Sequence, residues 1–224
     1  MTLKLLEVMP DVYAGRGVGN VVRHKLCVMA MCAAETRLRR GEPMGEATDV
    51  CECVSPLLRA LAIVRNDAWW KSAEARTAWA LDLVPKLLGT YDEDRDIRRA
   101  KAVARYAVRV IATEAMRSAG LLEEAYRLAT LADVDIDTTG VDWAAESTVG
   151  LTGMAGAAGA ARAAIWAAVR SVRAAIRSEA LAAVHGAREA ATIMAQAVRE
   201  TKKETWETEA ALLDALLRIA MAVE

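Results

Sequence analysis

The alanine-rich stretch from residue 160 to residue 200 constrains the fold of this 224-residue chain more than any other feature. Alanine has the highest helix propensity, so we expect a helix here although large apolar side chains are few. The apolar residues recur in steps of three and four and fall within a stripe of about 60° on a helix. The sequence therefore predicts an all-α protein of seven to eight helices, a helical bundle built around one long helix over 160–200.

The segment just before this helix, residues 150–159, is composed mainly of glycine, alanine and other small residues. Its glycines at every third position from Gly153 predict a hinge or a tight lead-in to the long helix. Charged residues from Arg162 onward exclude a membrane helix, which needs about 18 consecutive uncharged apolar residues. The N-terminus lacks the basic and apolar regions of a signal peptide, so we expect a cytoplasmic protein with reduced thiols and no membrane span.

Capping residues and helical periodicity predict the remaining helices. Their ranges are 21–40 after the cap Asn20, a segment from Ser55-Pro56 to Arg65, 67–89 after the cap Asn66 with Pro85 as a kink or break, 91–118 from the capping box Thr90–Glu93, 121–132, 142–148 and 203–223. The acidic stretch 133–142 is the longest non-helical part of the second half. It separates an N-terminal helical part, 1–132, from a C-terminal alanine-rich part, 133–224, which we expect to form one compact unit.

Arginines on two helices form the candidate partner surface. On the long helix they occupy a second arc of about 100° beside the apolar stripe, and on helix 91–118 they lie opposite the apolar face. These residues are Arg162, Arg170, Arg173, Arg177, Arg188, Arg98, Arg105 and Arg109. Nucleic acid is one candidate ligand, although the net charge of −1 lacks the basic excess typical of such proteins. The alternative is that the arginine stems cover the surface of a core helix.

The acidic stretch is the candidate metal site. Asp133, Asp135 and Asp137 have the 1, 3, 5 spacing of a calcium-binding EF-hand loop, and helices are predicted on both sides. Thr138 stands at the sixth position, where that loop requires glycine, and Ala144 stands at the twelfth, where it requires glutamate. Asp142 and Glu146 could compensate only in a distorted loop. A solvated acidic turn explains the same residues. No cofactor is predicted, and a metal-dependent enzyme using this loop stays an alternative.

The four cysteines and one histidine form a second candidate metal site. His24 and Cys27 are one helical turn apart, and Cys32, Cys51 and Cys53 could supply further zinc ligands. The Cys51-x-Cys53 spacing is shorter than that of the usual zinc knuckle. Cysteine is also a common small core residue, so burial explains the pattern equally well.

The stretch "LDLVPKLLGTYDEDRDIRRAKAVARYAV" and the later alanine-rich stretch "AAGAARAAIWAAVRSVRAA" resemble alanine-rich helical proteins of bacteria and their phages, and the resemblance covers about residues 82–190. These are grouped as immunity proteins of the Imm-5-like type. The resemblance implies a helical protein of phage origin that works by binding another protein. It carries over no catalytic residues.

The leading functional prediction is a non-enzymatic helical protein that binds a protein partner or self-associates. The alanine seam suited to close helix packing favours this interpretation. No arrangement of nucleophile, base and orienting group is evident in the sequence. Nucleic-acid binding through the arginine faces and metal-dependent or small-molecule catalysis at the acidic loop are the two alternatives.

Overall fold

The computed structural model describes residues 3–133, 136, 142–146, 156–176, 179–202 and 207–223. Helices dominate, and eight of the described α-helices have seven or more residues, so the predicted all-α class is confirmed. A small three-stranded sheet near the N-terminus is the one addition to the helices in this part of the chain. No helix among these residues combines the length and the apolar character needed to cross a membrane.

The chain divides into two compact units, Met1–Glu93 and Asp94–Glu224. The division therefore lies between Glu93 and Asp94 rather than at the acidic stretch 133–142. The reason is tertiary: the helices after Asp94 pack with the alanine-rich segments at the end of the chain. Such long-range packing leaves no mark in the local composition that suggested the later boundary.

The first unit begins with helix α1 (Lys4–Val8), strand β1 (Tyr13–Ala14), strand β2 (Gly19–Asn20) and strand β3 (Lys25–Leu26). Strand β3 lies in the centre, parallel to β1 and antiparallel to β2. Gly19 has a φ of +102°, and a Cβ there would lie 2.3 Å from the carbonyl oxygen of Lys25. Only glycine permits this close pairing.

Three longer helices complete the first unit: α2 (Val28–Arg39), α3 (Pro56–Asp67) and α4 (Ala73–Leu87). Helix α2 packs against α1, α3 and α4, and the core is formed by large apolar side chains of all these elements. They include Leu5, Leu26, Met29, Met31, Leu57, Leu58, Leu61 and Leu87. The buried carboxylate of Glu35 ties α1 to α2, because it accepts a hydrogen bond from the Leu5 amide at 2.8 Å.

Several predicted helix starts in this unit are wrong. Asn20 caps a short 3₁₀ turn, Val21–Arg23, and α2 begins at Val28 with Cys27 as its N-cap. The predicted helix from residue 21 cannot form there because the strand pairing of β3 occupies that backbone. Ser72 rather than Asn66 caps α4. The Ser55-Pro56 start is confirmed, and α4 continues through Pro85 to Leu87.

The second unit opens with an almost continuous helix over Glu93–Ser118, close to the predicted 91–118. It consists of α5 (Glu93–Tyr106), a π-helical stretch (Ala107–Ala112) and α6 (Thr113–Ser118). The predicted apolar face is buried at Ala100, Ala104, Ala107, Val108, Ile111 and Ala115. Helix α7 (Leu122–Thr130) then packs back on α6 and on the π-helical stretch.

The predicted single helix over 160–200 is wrong. The structure places two helices there, α9 (Gly156–Ile176) and α10 (Ala180–Lys202), after the short α8 (Asp142–Glu146). Glu179 lies between them; its amide donates to the Ala174 carbonyl at 2.8 Å, and its carbonyl accepts from the Ala183 amide at 3.0 Å. A 41-residue helix would extend about 60 Å and leave much of its alanine stripe in water.

Folding into two helices buries the alanine stripes of both. Helices α9 and α10 make the most extensive contact in the unit, and Ala164, Ala168, Ala183, Ala187 and Ala190 are fully buried. The Ser171 hydroxyl donates to the Ala183 carbonyl across the contact at 2.6 Å. Helix α11 (Glu207–Met221) packs on α10 and buries its predicted face at Ala210, Leu213, Leu217 and Ala220.

Candidate functional sites

The predicted arginines of the alanine-rich region are divided between two helices. Arg162, Arg170 and Arg173 lie on α9 and Arg188 lies on α10, while Arg177 lies outside the described residues. Arg170 forms a half-exposed ion pair with Glu189 of α10 at 2.8 Å. The structure therefore brings an acid from the second helix to the arginine surface, a neighbour that a single long helix would have kept far away.

A groove of about 400 Å³ runs along this pair of helices. It is lined by Arg170, Arg173, Ala174, Ala182, His185, Gly186 and Glu189. The ring of Trp166 lies 6.0 Å from the guanidinium carbons of both Arg162 and Arg173. The groove thus combines positive groups with one carboxylate, and the carboxylate reduces its attraction for a polyanion.

The other three predicted arginines follow the long helix that begins at Glu93. Arg98 is exposed, whereas Arg105 and Arg109 form ion pairs with Asp133 at 3.3 and 2.5 Å. Arg109 also donates a hydrogen bond to the carbonyl of Leu131. These contacts hold the segment that follows α7 against the long helix. Two of the three arginines therefore have a structural role.

The acidic loop is described only in part. Asp133 binds the two arginines, Asp135 and Asp137 lie outside the described residues, and Asp142 begins α8. Helices α7 and α8 flank this stretch, but its described residues Asp133 and Ile136 are helical rather than in a loop, and the Ile136 amide donates to the Ala132 carbonyl at 3.2 Å. The two arginines neutralise Asp133 and are poor neighbours for a cation. Calcium or magnesium binding in this loop stays a prediction.

The proposed zinc ligands do not converge. His24 pairs with the carboxylate of Asp11, and the Cys27 sulfur accepts a hydrogen bond from the Ala30 amide as the N-cap of α2. Within the described ranges, no group of three or more His, Cys, Asp or Glu side chains is arranged to hold a metal ion. Burial raises the pKa of Cys27, which opposes the thiolate form that zinc requires.

Cys51 and Cys53 instead form a close pair in the first unit. Their sulfur atoms are 3.3 Å apart, and both lie near the Thr36 hydroxyl of α2, at 3.6 and 3.5 Å. The Cys53 carbonyl accepts a hydrogen bond from the Tyr91 amide at 3.2 Å, which helps to hold the Cys51–Cys53 turn in place. Cys51 is buried, whereas Cys53 is partly exposed.

The pKa values of the two thiols are shifted in opposite directions. Burial alone would raise the pKa of Cys53, but hydrogen bonds from Thr36, from the Gly89 amide and from the Cys51 thiol outweigh it and lower that pKa. Thr36 also donates to the Cys32 carbonyl at 2.8 Å, so its one hydrogen is shared and the Gly89 amide is the steadier donor. The pKa of Cys51 is raised, first by burial and then by its neighbour Cys53.

The cysteine pair opens on a pocket of about 580 Å³. Its wall includes Thr36, Arg37, Arg40 and the acidic residues Glu42, Glu46 and Glu52. Arg37 donates to the Met44 carbonyl at 2.9 Å and so holds the segment after α2 in place. Gly45 has a φ of +69°, and a Cβ there would lie 2.0 Å from the Arg37 guanidinium, so this wall depends on a glycine.

Cys53 is expected to react with iodoacetamide before the other cysteines near neutral pH. A lowered pKa leaves more thiolate at a given pH, while the pKa of Cys32, raised well above its usual value by burial, keeps that thiol protonated. Peptide mapping of briefly alkylated protein at several pH values measures the order. Thr36→Val removes one hydrogen bond and is expected to shift the Cys53 profile to higher pH. Equal labelling of Cys51 and Cys53 at every pH would contradict this assignment.

Helix α7 carries a surface that the sequence analysis missed. Leu122 and Tyr126 are four residues apart on one face and are 67% and 72% exposed. The neighbouring Arg127 guanidinium lies 3.8 Å from the centre of the Trp143 ring. The sequence signal was the spacing of four residues, which places Leu122 and Tyr126 on one helix face. The structure buries Ala125 and Leu128 on another face of the same helix.

No family model, no characterised protein and no solved structure matches this chain. The resemblance to Imm-5-like immunity proteins therefore stays a prediction.

Proposed function

We propose that this protein acts by binding another protein, with the exposed face of α7 as its contact surface. The observation that carries the proposal is the pair Leu122 and Tyr126, both more than half exposed on one side of the helix. Large apolar side chains grouped on a surface are typical of protein-binding sites. The face belongs to the second unit and is distinct from the arginine groove between α9 and α10.

The residues around this face are of the kinds that dominate binding energy. Tyrosine, tryptophan and arginine are enriched among the residues whose loss weakens protein complexes most. Arg127 is held over the Trp143 ring before any partner arrives, so less side-chain entropy is lost on binding. An aromatic anchor flanked by a prearranged cation supports a protein ligand better than it supports a nucleic acid, whose phosphates require several cations.

Tyr126→Ala is expected to weaken the complex by about 2 kcal/mol, roughly thirty-fold in Kd. Wild-type and variant proteins are used to capture partners from an extract of the native host, with quantitative mass spectrometry of the bound proteins. Sedimentation of the purified protein tests self-association in parallel. We expect one protein, or a second copy of this chain, to be retained by the wild type and lost from Tyr126→Ala and Leu122→Ser.

Leu181→Ser is the matched control, because Leu181 is also a large exposed apolar residue of the second unit. It is expected to retain the partner. Equal retention by Tyr126→Ala and the wild type would refute the α7 surface, as would equal loss from Leu181→Ser. Nucleic-acid binding through the arginines stays an alternative, and its signature would be salt-sensitive binding abolished by Arg170→Glu and Arg173→Glu.

A further inference from the structure

We propose that Cys51 and Cys53 are a thiol–disulfide exchange site that converts between a dithiol and an intramolecular disulfide. The proposal is independent of the α7 surface, since every residue involved belongs to the first unit. Its geometric basis is the 3.3 Å separation of the two sulfur atoms beside an open pocket. A disulfide bond requires about 2.05 Å between sulfurs, so a small rotation of the side chains would suffice.

The unequal exposure of the pair assigns a role to each thiol. Cys53 is partly exposed and is the one that an outside disulfide can reach, while Cys51 is only 4% exposed. The Cys53 sulfur is also the one that hydrogen bonds favour as a thiolate. Thiolates rather than thiols attack disulfides, so Cys53 is the attacking residue and Cys51 is the resolving residue.

The exchange requires no reactant other than the external disulfide. The Cys53 thiolate attacks one sulfur of an external disulfide; the sulfur–sulfur bond breaks, and the released thiolate takes up a proton. Cys51 then loses its proton and attacks the Cys53 sulfur, which expels the second thiolate of the external molecule. The external disulfide is reduced to two thiols, and the two cysteines are oxidised to one disulfide.

The lining of the pocket indicates the class of external disulfide. Arg37 and Arg40 can bind carboxylates, and Glu42, Glu46 and Glu52 can bind ammonium groups. A low-molecular-weight disulfide that carries both kinds of group, such as glutathione disulfide, suits this mixed wall. The pocket volume of about 580 Å³ lies within the usual range for small-molecule sites.

The test is to treat the reduced full-length protein with glutathione disulfide and to follow the products by intact mass and peptide mapping. The wild type is expected to lose two hydrogens and to yield a Cys51–Cys53 disulfide that a dithiol reductant reverses. Cys51→Ser is expected to stop at a mixed disulfide on Cys53. Cys53→Ser is expected to react on the order of ten-fold more slowly, because the remaining thiols are buried.

Cys27→Ser is the control, since Cys27 serves as the N-cap of α2 outside the pocket and serine can replace it in that role. This variant is expected to form the Cys51–Cys53 disulfide at the wild-type rate. A wild type that accumulates only a stable glutathione adduct, or that links Cys51 or Cys53 to another cysteine, overturns the proposal. Circular dichroism of each variant separates a loss of exchange from a loss of folding, and mapping of the wild type decides the question without any variant.

Discussion

Asp96→Ala is expected to lower the free energy of unfolding by about 3–5 kcal/mol, because it removes the carboxylate that pairs with a buried arginine. Asp96 and Arg99 are 6% and 2% exposed, and their oxygen and nitrogen atoms are 2.7 Å apart on α5. A charge removed from water is stabilised only by its partners, so the loss of one partner is costly. Urea unfolding followed by circular dichroism measures the change.

Glu114→Ala provides a matched control on the same long helix. Glu114 and Arg117 have the same spacing of three residues, but both side chains are about half exposed. Water replaces most of that attraction, so we expect a loss of less than about 0.5 kcal/mol. Arg99→Met added to Asp96→Ala also removes the buried positive charge that Asp96 balanced, and should recover much of the stability. Equal effects of Asp96→Ala and Glu114→Ala would show that burial does not make the Asp96–Arg99 pair more stabilising than the exposed Glu114–Arg117 pair.

Gly186→Ala is expected to destabilise the α9–α10 packing by about 1–3 kcal/mol through overpacking. A Cβ at this position would lie 2.8 Å from the Ser171 nitrogen and 3.0 Å from the Ala167 carbonyl oxygen. These are backbone atoms of α9, so they cannot rotate away as a side chain can. Helix propensity alone predicts the opposite sign, a gain of about 1 kcal/mol when alanine replaces glycine inside a helix.

The sign of the Gly186→Ala effect therefore distinguishes two packed helices from a single exposed one. Gly186→Leu is expected to have a larger effect and to disrupt the contact. Ala182→Leu, one turn earlier on the solvent side of α10, is the control and should change stability by no more than about 0.5 kcal/mol. A stabilising Gly186→Ala, measured by the same urea titration, would mean that α9 and α10 do not meet at this glycine.

Much of the helical pattern could be predicted because its causes are local. Ser55-Pro56 starts α3, and the apolar faces of the helix beginning at Glu93 and of α11 are buried as their periodicity requires. Capping and periodicity depend on neighbours within one or two turns, and the sequence displays those neighbours directly. The incorrect start at Asn20 has a different origin, since pairing with β1 and β2 holds the preceding segment as strand β3.

The candidate sites were harder to predict because they depend on residues far apart in the chain. The Cys51-x-Cys53 pair is visible in the sequence, but Thr36 and Gly89 reach it only through the packing of α2 and the end of α4. The arginine surface was predicted from one helix, and the neighbour Glu189 came to Arg170 from another. Acidity and charge pairing are properties of such assembled surroundings.

In the alanine-rich region, amino-acid composition and tertiary packing determine different properties. Its composition by itself determined that it is helical, that it cannot span a membrane and that its small residues suit close packing. Only the tertiary structure decided that the stripe folds back on itself at Glu179 and is covered by its own second half. The physical reason is that helix propensity acts residue by residue, whereas burying an apolar stripe requires a partner surface, and the nearest one lies in the same chain.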